Sequence, residues 1–467
     1  MPTFDTTTYI SPFTWRYGSK DMRHIFSEQH KYELWRKVWI SLARVQNKAG
    51  LVSDEELKDL EQFAEDIDIE KILENEKDTK HDVVAAIREY AQKAKVGGGK
   101  VHLGLTSMDV VDNTEGMRNK EALELVEGKV LELLKLFGEK IEKYADTVCL
   151  GYTHLQPAEP TTVGYRFAFY AQDLLMDLKL LRFVQNLPLG KGIKGAVGTQ
   201  ASFAALFDGE NTMKTSPLEM ETEVMRMLGI RPVEVSSQVY TRKIDYLVLT
   251  VLASISSSVA KFAADLRILQ SPTIGEWSEP FGSKQVGSSA MPFKKNPINS
   301  EKICSLARMV TQMPPVALEN ATHSYLERTL DDSANRRIVT PEAFLAVDEI
   351  LLTAAKLVEG MVVNEKRIAF NLLQFAPFVA SEGILMEAVK KGASRQDMHE
   401  VLKDTAMKAW EVVQNGQENP MAELLKSNQD ITKYVPVLEI EKQLDVTGHI
   451  GTAPQRARKI ATEIKNI

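Results

Sequence analysis

The stretch Val233–Ser271, VEVSSQVYTRKIDYLVLTVLASISSSVAKFAADLRILQS, decides the fold class. It lies between Pro232 and Pro272 and holds no glycine or proline over 39 residues. Tyr240, Ile244, Leu247, Val251, Ile255, Val259, Phe262, Leu266 and Leu269 recur at steps of three and four, the period of one helix face. A single helix through the whole stretch would be about 60 Å long. A second seam, Leu123, Val126, Val130, Leu134, Phe137, Ile141 and Tyr144, follows the same rule. Helices of this length need partners along their whole length, so a large bundle is expected, extending between subunits. A coiled-coil scaffold is the rival reading, but loops dense in polar chemistry interrupt the seams.

Working outward, the reading is mainly α in three parts. Residues 1–106 form an N-terminal helical domain that begins with an irregular arm and continues into a helix from about Met22 to Ala49, stopped by Gly50. Ser53-Asp-Glu-Glu56 predicts a capping box. A short helix carries Lys80-His81-Asp82, and Gly97-Gly-Gly-Lys100 reads as a flexible connector. Residues 107–363 form the central long-helix bundle, with further helices at Thr161–Gln185 and from Ile303 to about Glu359, broken at Pro314-Pro315. Residues 364–467 hold shorter helices punctuated by Gly383, Gly392, Pro420 and Gly448. No strand pattern of any length is evident.

Composition narrows the function classes. Apolar residues make up 44% and charged residues 26%, ordinary for a globular enzyme. The net charge of −7 argues against a broad basic surface for nucleic acid. Two cysteines, Cys149 and Cys304, exclude a disulfide scaffold and suit a reducing cytosol, and neither has a metal-ligand neighbour. The N-terminus lacks a signal-peptide layout, and the run Tyr246–Ala260 is short of a membrane span. A cytoplasmic protein that meets neither membrane nor nucleic acid is expected.

The chemistry concentrates in Gly282–Glu301, a loop with two glycines and two prolines that carries Ser288, Ser289, Lys294, Lys295, Asn296 and Asn299. A pair of lysines alone would be a solvated turn more often than a site. The run GSSAMPFKKNP closely resembles the signature of the fumarase/aspartase superfamily, in its adenylosuccinate lyase version. Four more patches match that family in order: Arg16-Tyr17, with the cluster Arg328 to Arg337; Lys80-His81-Asp82; Val101 to Thr114; and Thr153-His154-Leu-Gln-Pro-Ala-Glu-Pro.

The resemblance implies β-elimination of fumarate from adenylosuccinate, giving AMP, and from SAICAR, giving AICAR, with no metal or organic cofactor. It implies His154 as the acid that protonates the leaving nitrogen, Glu301 as the carboxylate that orients it, and His81 near both histidine and phosphate. Ser288 would be the base that takes the β-proton, a demanding role for a hydroxyl; physics alone leaves Ser289 open. Lys294 and Asn296 would stabilise the developing carbanion. Thr106, Ser107 and Thr153 match substrate-facing hydroxyls, and Asp82 and Gln200 match further substrate-binding positions. Arg16, Tyr17, Arg328, Ser333 and Arg337 would hold the phosphate, for which forked guanidinium donors are suited. Lys302 stands where some relatives carry arginine. Finally, the resemblance implies a homotetramer whose sites draw on three chains. Argininosuccinate lyase-like chemistry, or a silent homologue that kept only the fold, are the competing readings.

Overall fold

The computed structural model describes residues 7–208, 215–282, 287, 290–291 and 293–467. Among these residues there are nineteen α-helices and four short strands, so the chain is mainly α as its seams require. All seven residues of the Leu123–Tyr144 seam are buried, the first six on one helix running Ser107–Lys143 and Tyr144 just past its end.

The chain divides into two compact units, each gathered from three segments. The first comprises Met1–Leu131, Met176–Ala260 and Lys302–Thr353. Its core packs Trp35, Val38 and Leu42 against Ala86, Tyr90, Val110, Met117 and Val224. Beside it Arg36 and Glu89 form a buried ion pair, with the guanidinium 3.3 Å from the centroid of the Tyr90 ring. Burial lowers the Arg36 pKa to about 10, although Glu89 opposes the shift.

Several local expectations hold and others are corrected. The helix expected from Met22 to Ala49 is two, Lys20–Ile25 and Glu28–Lys48. Ser27 breaks it, because its hydroxyl accepts from the His30 amide and so caps the second helix. Gly50 follows with φ 81°, and Ser53 and Glu56 close the capping box. Gly97–Lys100 is a packed turn and not a free connector. A Cβ on Gly97 would lie 2.3 Å from the Glu56 carbonyl oxygen, so only glycine allows this approach. The deciding stretch is helical over Lys243–Leu269 only, 27 residues and about 40 Å. Its first ten residues are irregular, because other bonds take their amides: Gln238 N donates to the Glu327 carbonyl at 3.2 Å and Tyr240 N to Asp112 Oδ2 at 3.0 Å.

The second unit comprises Glu132–Leu175, Lys261–Glu301 and Ala354–Ile467. Here the absence of strands is corrected. Val148–Thr153 (β1) pairs antiparallel with Gln156–Thr162 (β2), with a register shift between Leu150 and Tyr152. The helix that follows starts at Val163 rather than Thr161. Leu150 packs with Leu372, Ala376, Ala380 and Ile384 of the Glu365–Lys390 helix. Elsewhere in this unit Phe167 stacks on Trp277 with ring centroids 4.6 Å apart.

Lys243–Leu269 and Glu365–Lys390 are long and apolar enough to cross a membrane by length and composition. Half of the apolar window of the first is buried inside the fold, and Pro377 lies within the second.

Candidate active site

Unit one brings four of the expected residues together. His81 caps the Asp82–Lys93 helix, its Nδ1 3.5 Å from the Val84 amide. Its Nε2 lies 3.3 Å from Ser107 Oγ, at the start of the Ser107–Lys143 helix. Asp82 Oδ2 accepts from Arg337 Nη2 at 3.1 Å. Imidazole, hydroxyl, carboxylate and guanidinium thus meet where two helices begin, a place favourable to anions. Thr106 turns into the same helix start, and its Oγ1 is 3.5 Å from Gln238 Nε2.

Arg337 belongs to the first turn of the Ser333–Gly360 helix, which buried ion pairs fix. Arg336 donates to Asp245 Oδ2 at 2.7 Å and to the Tyr240 hydroxyl at 2.8 Å. Arg242 bridges Asp112 at 3.0 Å and Asp332 at 2.6 Å. Desolvation raises the Asp112 pKa, with both arginines opposing it. Arg328 is half-buried, and its Nη1 is buried with no hydrogen-bond partner. Burial, the largest cause, lowers its pKa. An unmet, buried guanidinium nitrogen is what a site for an anionic ligand needs.

The N-terminal arm docks within the same unit. Gly18 N donates to Glu349 Oε2 at 3.1 Å and Ser19 N to Asp348 Oδ2 at 2.5 Å. Lys302 Nζ donates to the same Glu349 at 2.6 Å, so the residue that departs from the family pattern helps to anchor the arm. Arg16 stacks over Trp15, 4.4 Å from the ring centroid, and Tyr17 packs edge-on against Phe13.

Gln200 turns inward. It adopts φ 58°, and its Nε2 donates to the Ile193 carbonyl, to the Pro217 carbonyl and to Glu221 Oε2 at 2.8 Å. The preceding loop wraps the buried Asp109 carboxylate, which accepts from Lys191 Nζ and from the amides of Lys194 and Gly195. His102 sits near this network with Nδ1 accepting from Trp39 Nε1 at 3.1 Å. Burial pushes its pKa down to about 4, so its imidazole is neutral.

Unit two holds the expected acid. Thr153 pairs with Gln156, so His154 and Leu155 are the two tip residues of the β1–β2 hairpin. Both have positive φ, 53° and 59°, the geometry of the favoured hairpin turn, but without its usual Asn or Gly. Pro157 and Pro160 therefore lie in β2 and not in a turn before a helix. The exposed imidazole sits on strained backbone, a cost of order 1–3 kcal/mol that recurs at functional positions. Buried Glu276 secures the base of the hairpin. It accepts from the Tyr152 hydroxyl at 3.0 Å and from Arg166 at 3.2 Å, while Arg166 also donates to the Leu150 carbonyl.

Ser288 and Ser289 lie outside the described residues. Downstream, Lys294 is exposed, and Asn296 Nδ2 donates to the Gly287 carbonyl at 2.9 Å. Glu301 is exposed in the first turn of the Ile298–Val310 helix, and among the described residues no hydrogen bond or ion pair joins it to His154. Sequence reasoning missed Glu279 and Gln270. Glu279 accepts from the Asn299 and Ser300 amides at 3.2 and 2.7 Å, capping that helix, and Gln270 Nε2 donates to the Lys295 carbonyl at 2.9 Å. Together they fix the exit of the signature loop. As isolated polar residues between apolar runs, they carried no signal of this.

Comparison with known proteins shows the family of the chain. Residues 17–311 match a family described as lyase, and residues 377–460 match the adenylosuccinate lyase C-terminus. An adenylosuccinate lyase from Schizosaccharomyces pombe is 36% identical over 98% of this chain and 95% of its own length. One from Pyrococcus horikoshii is 34% identical over 98% of both. The fold also resembles a fumarate lyase structure from Mesorhizobium sp. BNC1, with TM-score 0.83 and 21% identity over 97% of this chain and 99% of that one. By sequence over its full length, the chain belongs to the adenylosuccinate lyase family.

Proposed function

We infer that the protein is a carbon–nitrogen lyase of purine nucleotide biosynthesis that converts adenylosuccinate to AMP and fumarate, and SAICAR to AICAR and fumarate. The observation that carries the choice of substrate is the unmet Arg328 Nη1, in the same unit as the Arg337–Asp82–His81–Ser107 cluster, donors suited to a phosphate monoester. Argininosuccinate has no phosphate to occupy it.

In the proposed reaction a base removes a proton from the carbon β to the departing nitrogen. The electron pair forms the new C=C bond as the C–N bond breaks, and His154 supplies the proton that the nitrogen takes up. Acid and base contribute roughly 10²–10⁴-fold each. Positioning and charge stabilisation supply the remainder. Ser288 as base, and Lys294 and Asn296 as stabilisers of the carbanion, rest on the family resemblance, as do the oriented pair of His154 with Glu301 and the phosphate role of Arg16, Tyr17 and Ser333. The three-part division at 106 and 363, and a cytoplasmic location, belong to the same reading.

We further propose a homotetramer with shared sites. Tyr165, Phe169, Met176 and Phe183 lie on one face of the Val163–Gln185 helix and are 39, 50, 63 and 58% exposed. An apolar stripe of that length calls for another chain. Mixing His154→Ala with Ser288→Ala protein should restore activity, and no rescue after confirmed subunit exchange would defeat the shared site. The function itself is tested by assaying fumarate release from adenylosuccinate, argininosuccinate and malate. Turnover of adenylosuccinate alone is expected, and turnover of argininosuccinate instead would overturn the phosphate assignment.

A further inference from the structure

We propose that His24, His30 and Glu33 form a binding site for a divalent transition metal of the Zn²⁺ type, separate from the residues assigned to catalysis. His24 lies in the last turn of the Lys20–Ile25 helix, and His30 and Glu33 in the first turns of the Glu28–Lys48 helix. The donor atoms of the three lie within 4.8 Å of one another. The two imidazole rings approach to 4.9 Å between centroids, tilted by 41°.

Three features favour a metal. First, His24 is exposed, and among the described residues its ring makes no hydrogen bond, so its nitrogens are available. Second, His30 is already oriented by a second carboxylate. Its Nε2 lies 2.7 Å from Glu121 Oε2, and its Nδ1 3.3 Å from Glu33 Oε2. A histidine whose far nitrogen donates to a carboxylate has its other lone pair directed at the ligand, the arrangement that metal-bound histidines adopt. Third, two imidazoles and a carboxylate suit Zn²⁺ and its neighbours, whereas Ca²⁺ and Mg²⁺ take oxygen-rich sets. Bonds of about 2.0–2.2 Å require the donors to draw together by roughly an ångström. The exposed His24 side chain can do this without moving either helix. The proton on His30 Nδ1 leaves as the metal binds.

Bound metal would tie the short helix to the long one. Arg23, next to His24, donates to the carbonyls of Tyr17 and Gly18 at 3.0 and 2.8 Å, so that helix carries the N-terminal arm. The metal thereby restrains the arm.

The test uses the full-length protein after chelator treatment, titrated with Zn²⁺ against a chromophoric chelator and with Co²⁺ by visible absorption. One equivalent per chain is expected, with no competition from Ca²⁺. His24→Ala should abolish this binding while leaving basal fumarate release unchanged. Glu121→Gln should weaken binding about 10- to 100-fold, as loss of an outer carboxylate does. Absence of stoichiometric binding would overturn the proposal. So would unchanged binding in His24→Ala, which would place the metal elsewhere, for example at Glu159, Glu382 and His449.

Discussion

Arg337 Nη2 lies 3.1 Å from Asp82 Oδ2, joining residues 255 positions apart at the start of two helices. The Arg337 side chain is 68% exposed, so the pair contributes little to stability. In the proposed phosphate site its value lies in holding a guanidinium that can exchange a carboxylate for a phosphate. Arg337→Ala should raise KM for adenylosuccinate about 10- to 100-fold, the loss of one or two charge-assisted bonds, with a smaller effect on kcat. Arg337→Lys should recover only part of this, because an ammonium cannot bind in a forked fashion. A fall in kcat at unchanged KM would remove Arg337 from the phosphate site.

Arg328 makes the opposite use of its surroundings. Its buried Nη1 is unpaired, so the empty protein bears a desolvation cost that a bound anion removes. Arg328→Leu keeps the stem packing and deletes the unmet donor. Thermal denaturation without ligand should show the variant equal to wild type or more stable by about 1 kcal/mol. Its KM for adenylosuccinate should rise at the same time. A variant clearly less stable when empty would mean that Arg328 is a structural residue.

These two arginines also show what was legible. A solvated charged face and a phosphate site are indistinguishable in the string Leu326 to Arg337; only the family pattern, and not the local residues, favours the second. The long seams were readable because helix burial imposes its period directly, as the buried Leu123–Tyr144 set shows. The β1–β2 hairpin was not, because Gly151, Pro157 and Pro160 argue against strands when each segment is read alone. Only the pairing across the turn makes them strands. The same holds for the irregular start of the Val233–Ser271 stretch. Its amides bond to Glu327 and Asp112, partners that no local pattern can reveal.

His102 should make the fold acid-sensitive. Burial holds its folded pKa near 4, against 6.5 for a free imidazole. Between those values the unfolded chain binds a proton that the folded chain refuses, so stability rises with pH across that window. The contribution is complete above about pH 6.5 and lost as pH falls toward 4, with a size of up to about 3 kcal/mol. His30 acts in the opposite sense. The Glu121 bond raises its pKa, so its contribution is full below 6.5 and lost at higher pH. In His102→Asn the amide can still accept from Trp39 Nε1 and tolerates the φ of 69°. Chemical denaturation at several pH values should then give a flatter profile between pH 6.5 and 4. An unchanged profile would mean that His102 does not cause the dependence.

His154 combines backbone strain with the acid role proposed for it, and the two can be separated by substitution. The φ of 53° is one that asparagine tolerates and a β-branched residue does not. His154→Asn should keep the hairpin and leave the melting temperature near that of wild type, while lowering kcat by about 10²–10⁴-fold through loss of the acid. His154→Val should lower kcat similarly and also cost about 1–2 kcal/mol of stability, from forcing a branched side chain into the left-handed region. If both variants lost stability equally, the imidazole would be holding the hairpin and not serving the reaction. If His154→Asn retained full activity, the leaving nitrogen would take its proton from another group, and the acid role assigned to the hairpin tip would fall.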